Sequence, residues 1–256
     1  MIRNCSNFFV IVLLFVLTLI SPSLASASHS WGYYHWARTS NPFSLKLGNN
    51  VSSSWLTYLT TTSNDWSLSN VLDTPIVAGG TNPRNCRATS GKVEVCNSKY
   101  GNNGWLGIAQ IWTNGNHIVQ GVTKLNDTYF NTAKYNTPAW RNLVMCQEVG
   151  HTLGLDHQDE IFDNANLGTC MDYSNDPSTN QHPNQHDYEQ LESIYSHLDS
   201  FNTMTQGTLN GKAMLDTFDN PSDWGKLVKK GDKTAVFERN VGVGRKVFTF
   251  VVYADK

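Results

Sequence analysis

Gln147-Glu148-Val149-Gly150-His151-Thr152-Leu153-Gly154-Leu155-Asp156-His157 is the stretch on which the reading of this chain turns. Just upstream, Thr137-Pro138 offers a helix start, a capping hydroxyl followed by proline at the first helical position. Trp140, Leu143 and Val144 carry that helix on through Glu148 and His151, and Gly154 stops it. Residues three and four apart share a helix face, so Gln147, Glu148 and His151 can aim their polar heads at one ion. Gly154 allows a turn barred to residues with a Cβ, and that turn brings His157 back toward the same ion.

The stretch resembles the metzincin consensus H-E-x-x-H-x-x-G-x-x-H and matches it at every fixed position but the first. A second match lies downstream: Thr169-Cys170-Met171-Asp172-Tyr173 is similar to the Met-turn of that clan, with the Met-x-Tyr spacing of astacins and serralysins. The resemblance implies an α+β zincin-like fold with a mixed twisted sheet, an active-site helix and a Met-turn. It implies hydrolysis of peptide bonds by a metal-activated water with Glu148 as general base. His151 and His157 would be metal ligands, Met171 the hydrophobic floor, and Tyr173 the stabiliser of the oxyanion.

Gln147 is the departure, because imidazole nitrogen suits zinc better than a neutral amide oxygen does. Three outcomes stay open. Gln147 ligates through its oxygen, with Zn2+ or another transition metal such as copper; His182 or His186 supplies a nitrogen instead; or the site has lost its metal. The gametolysin-like branch of the clan carries Q-E-x-x-H, which implies that glutamine is tolerated. The competing functional class is a catalytically inactive secreted protein that keeps the fold and binds peptides or proteins.

Working outward, residues 43–47 alternate as a half-buried strand, and residues 52–63 carry apolar positions at helical spacing. Residues 74–78 and 92–96 read as strands, and residues 105–113 as a longer one closed by the turn dipeptide Asn114-Gly115. Residues 117–125 return as a hairpin. Residues 183–198 form a second helix with Tyr188, Leu191, Ile194 and Leu198 on one face. This order is that of the resembled clan, which makes residues 105–113 the open edge strand onto which a peptide substrate adds. Beyond residue 199 a polar linker leads to a C-terminal β extension, two strands around Gly242-Val243-Gly244.

At the N-terminus, Arg3 precedes a run of about 13 apolar residues, short of the roughly 20 needed to span a bilayer. Ser21-Pro22 and Ala25-Ser26-Ala27 complete the layout of a secretory signal peptide over residues 1–27. The expected organisation is then a catalytic domain over residues 28–200 and a linker with β-hairpin extension over 201–256. Secretion favours disulfides among Cys86, Cys96, Cys146 and Cys170, and locality favours the pairs Cys86–Cys96 and Cys146–Cys170. The sequons at Asn50 and Asn126 would accept glycans in a eukaryotic host.

A formal net charge of −2 gives no case for nucleic acid or an anionic membrane. A polypeptide substrate, an extracellular location and a monomer are expected. His182, His186 and His197 read as surface residues, Asp156, Asp159, Glu160 and Asp163 as a solvated acidic loop, and the aromatics from Trp31 to Trp36 as packing.

Overall fold

The computed structural model describes residues 28–205 and 218–255, so the signal-peptide reading of residues 1–27 lies outside the described residues. The chain opens with β1 (His35–Trp36), β2 (Phe43–Ser44) and β3 (Leu47–Asn50), then α1 (Ser53–Trp66). Next come β4 (Leu72–Asp73), β5 (Ile76–Ala78), β6 (Val93–Ser98), β7 (Trp105–Asn114) and β8 (His117–Asn126). Three helices follow, α2 (Asp127–Phe130), α3 (Pro138–Thr152) and α4 (Gln185–Ile194), and the strands β9 (Lys226–Lys230), β10 (Thr234–Gly242) and β11 (Arg245–Tyr253) close the chain.

A mixed sheet of nine strands dominates the described residues, in the order β5-β3-β6-β8-β7-β11-β10-β9, with β1 beside the start of β8. The first half is parallel, as crossovers through α1 and the loops require, and the second half antiparallel. The mixed α and β architecture agrees with the sequence. The β7–β8 hairpin is tight because Gly115 takes a positive φ of 57° at the first turn position, between paired Asn114 and His117.

One expectation is overturned here. Residues 105–113 are not an open edge: β11 pairs with β7 along its length, from Arg245 opposite Asn114 to Tyr253 opposite Trp105. The C-terminal segment is therefore not an appendage but the continuation of the sheet. The physical cause is burial on both faces. Phe248, Phe250 and Val252 of β11 join the core beneath the helices. Val247 and Val251 join a second core on the opposite face, with Trp105, Trp112, Phe218 and Trp224.

Smaller differences have local causes. The strand expected over residues 43–47 is split: β2 pairs only with β4, whereas β3 enters the main sheet between β5 and β6. α4 is shorter than residues 183–198. Asn184 starts it with a capping box closed by Asp187, and the Asn41 side-chain amide captures the Tyr195 carbonyl where the helix ends. The sequon asparagines are buried: Asn50 donates to Glu94 and Asn126 caps α2, which leaves neither free to carry a glycan in this fold. Two disulfides form, Cys86–Cys96 behind the sheet and Cys146–Cys170 between α3 and the turn after it.

Candidate metal centre

α3 is the scaffold of the site. Thr137 caps it by accepting from the Trp140 amide, and Pro138 occupies the first turn. α1 is locked against it by the Trp66 indole, which donates to the Cys146 carbonyl at 3.1 Å. Gly150 faces Met171: a Cβ there would lie 2.5 Å from Met171 Sδ and 2.8 Å from Trp66. Only glycine lets Met171 and Trp66 both close under the helix. At the C-terminal end, Gly154 adopts a φ of 96° and lies where a Cβ would meet the Tyr34 carbonyl oxygen at 2.5 Å. The N-terminal segment crosses this turn, with Trp31 N–H donating to the Gly154 carbonyl.

The chain after Gly154 comes back as its glycine allows. His151 and His157 meet with their Nε2 atoms 3.2 Å apart and their rings almost perpendicular. His151 Nδ1 lies 3.0 Å from the Leu155 carbonyl oxygen, and His157 Nδ1 lies 3.1 Å from Glu160 Oε1. Both Nδ1 atoms face acceptors, which leaves the two Nε2 atoms turned toward each other. Two ring nitrogens at this distance are satisfied by a shared proton or by a cation held between them.

Gln147 and Glu148 precede His151 on α3, and both are fully buried. Gln147 Nε2 donates to the Cys170 carbonyl at 3.0 Å, which leaves Oε1 buried and without a partner among the described residues. Both carboxylate oxygens of Glu148 are likewise buried and unpartnered. Burial pushes the Glu148 carboxyl well above its ordinary range, and the Ala109 amide on β7 offsets this without closing a hydrogen bond of good geometry. Burial, followed by the neighbouring His157, holds His151 well below the usual histidine value, in the neutral form that a ligand needs. A buried amide oxygen and a buried carboxyl with no donors are costly unless an ion or a polarised water completes them. The facing imidazoles fit a cation with nitrogen preference.

The turn at Met171 is tied to neighbouring segments by hydrogen bonds. Met171 N–H donates to Thr169 Oγ1, Gln158 N–H donates to the Met171 carbonyl, and Asp187 of α4 accepts from the Thr169 hydroxyl. Tyr173 is buried with its ring centroid 6.2 Å from that of His157 and 5.0 Å from that of Phe162. Burial, then the Tyr135 phenol, raises the Tyr173 hydroxyl above its normal value, so it stays a neutral donor. His151 and His157 are thus brought together, with Tyr173 beside His157 and Met171 against Gly150 of the helix that carries Gln147 and Glu148. His182 and His186 do not join them. His182 is exposed on Asp65 at 2.7 Å, and His186 stacks on His29.

Three participants went unseen in the sequence. Glu160, read as part of a solvated acidic loop, orients His157 and also pairs with Lys229 of β9 at 2.8 Å. Its only local signal was the i, i+3 spacing from His157. Phe250 of β11 lies flat on His151, with ring centroids 4.5 Å apart and planes 10° apart. Gly107 of β7 gives Glu148 its room, since a Cβ there would lie 2.6 Å from Glu148 Oε1. Neither of these last two carries any motif.

No family model matches the chain, and no curated protein matches it in sequence. Among solved structures it is similar to high choriolytic enzyme 1, a hatching enzyme zinc-protease from the medaka fish Oryzias latipes. The identity is 10% and the TM-score 0.34, over 63% of this chain and 94% of that one.

Proposed function

We propose that this chain is a secreted metal-dependent endopeptidase of metzincin type. The observation that carries the reading is the facing pair of His151 and His157 Nε2 atoms, each ring held by an acceptor at Nδ1. On the same helix as His151, Gln147 Oε1 and the Glu148 carboxyl are buried without hydrogen-bond partners among the described residues. His151, His157 and Gln147 would hold the metal, with zinc suited to the two imidazoles. When bound, zinc supplies a Lewis acid that polarises water and carbonyl oxygen.

The remaining chemistry belongs to the chain. Glu148 takes a proton from the attacking water and returns it to the leaving amine. Its raised affinity for protons, a product of burial, suits that shuttle at neutral pH. Tyr173, neutral throughout, donates to the developing oxyanion. Met171 fixes the floor on which α3 rests. Gln147 is oriented as a ligand by its bond to the Cys170 carbonyl, and that bond favours it over His182 and His186. Because β11 pairs along β7 and Phe250 lies on His151, the β7 edge is taken by the chain's own strand and not by substrate.

Casein digestion and zinc content test the reading together. Glu148→Gln should keep fold and zinc while losing most turnover, and a chelator should abolish digestion by the parent. Digestion by Glu148→Gln at the parental rate would refute the mechanism. Gln147→His should bind zinc more tightly without loss of activity.

A further inference from the structure

A second group of metal-ligating side chains lies away from α3, where the N-terminal segment, the β7–β8 turn and the chain leaving α4 converge. His35 stands on β1, His117 opens β8, and His197 and Asp199 follow α4. His35 is buried and Asp199 half-buried, while His117 is 27% exposed at its side chain and His197 52%.

The ligand atoms of His35, His117 and Asp199 lie within 4.8 Å of one another, and His197 reaches two of the three. His35 Nε2 lies 3.2 Å from His197 Nε2 and 3.5 Å from Asp199 Oδ1. His117 Nε2 is 3.2 Å, and His197 Nε2 3.8 Å, from the same Oδ1. Four ligands at about 2.0–2.1 Å from a tetrahedral zinc are separated by roughly 3.3–3.4 Å. The ring planes of His117 and His197 stand at 78° and 84° to that of His35, so the imidazoles approach from different directions.

Supporting groups hold this geometry. His35 Nδ1 lies 2.8 Å from the Tyr33 carbonyl oxygen, which places the proton on Nδ1 and the lone pair on Nε2 in the neutral ring. In that form Nε2 faces the Asp199 carboxylate oxygen and the His197 imidazole nitrogen, a set that a cation between them would complete. Asp199 Oδ2 is occupied by the backbone N–H and the guanidinium of Arg38, both at 3.1 Å, which turns Oδ1 toward the histidines. A cleft of about 430 Å³, bordered by Tyr33, His35, Asn116 and His197, gives an entry path.

We propose that His35, His117, His197 and Asp199 form a second, structural zinc site, independent of the centre on α3. Four protein ligands close it to catalysis. Its effect is to cross-link three segments, with Asp199 lying 164 residues from His35 and 82 from His117.

Metal stoichiometry of the full chain, purified and dialysed from zinc into metal-free buffer, tests this. His117→Ala and His197→Ala should each carry one equivalent of zinc less than the parent. That difference persists whether or not the α3 centre holds metal, so failure of the peptidase reading leaves it intact. A second measurement needs no variant: diethyl pyrocarbonate labelling of the parent, read by peptide mass spectrometry. Zinc should protect His117 and His197 and chelation should expose them. Equal zinc content in parent and both variants, or equal labelling with and without zinc, overturns the site.

Discussion

Replacing Gly107 by alanine tests the placement of Glu148 without touching any proposed ligand. An alanine Cβ would lie 2.5 Å from Val144 Cγ1, 2.6 Å from Glu148 Oε1 and 3.0 Å from Glu148 Cγ. Carbon atoms rest at about 3.5–4.0 Å, so β7 or α3 must give way by roughly 1 Å. Overpacking of that kind costs about 1–3 kcal/mol, and relief of glycine's backbone entropy returns about 0.5–1 kcal/mol. The net destabilisation is then about 0.5–2 kcal/mol, a fall of roughly 1–8 °C in Tm for a domain of this size. Displacing a catalytic group by about 1 Å costs on the order of 100-fold in rate, or about 2.7 kcal/mol of barrier. Casein digestion should therefore fall about 100-fold while zinc content holds and Tm drops modestly. Parental digestion rates in a protein whose Tm has fallen would refute the role given to Glu148.

Other outcomes follow from named contacts. Burial alone would raise the Glu160 carboxyl, but His157 and Lys229 outweigh it and hold the value at about 2, so its bond to His157 stays charge-assisted across working pH. Glu160→Gln should weaken zinc retention about 10–100-fold in a chelator competition, as loss of a ligand's orienting partner does. Lys229 joins β9 to both Asp156 and Glu160, and Lys229→Ala should cost below about 1 kcal/mol of stability in a denaturant titration. Away from the centre, burial works to raise Glu94, but Lys92, Thr89, Asn50 and the Gly80 amide outweigh it and depress its pKa below 4.5. A depressed folded value adds stability above the unfolded pKa and loses it as pH falls through the folded one. Glu94→Gln should therefore be less stable than the parent by about 1–3 kcal/mol at pH 7. Denaturant titrations should show that gap narrowing below pH 4.5.

What the sequence by itself determined is local in origin. Thr137-Pro138 and Gly154 bounded α3 because capping and positive φ depend on single residues. The spacing of Gln147, Glu148, His151 and His157 placed them on one face and one return turn because helical periodicity is set by the backbone. Tertiary structure decided the rest. Alternation in residues 245–253 marks a strand but names no partner, and only burial on both faces seats β11 on β7 and Phe250 on His151. The same holds for Asn50 and Asn126, whose sequons are legible while their burial is not. His197 read as a surface histidine, and nothing within a few residues of it points to His35 or His117. Their convergence on Asp199 comes from packing three distant segments together, a long-range balance of burial that no local pattern encodes.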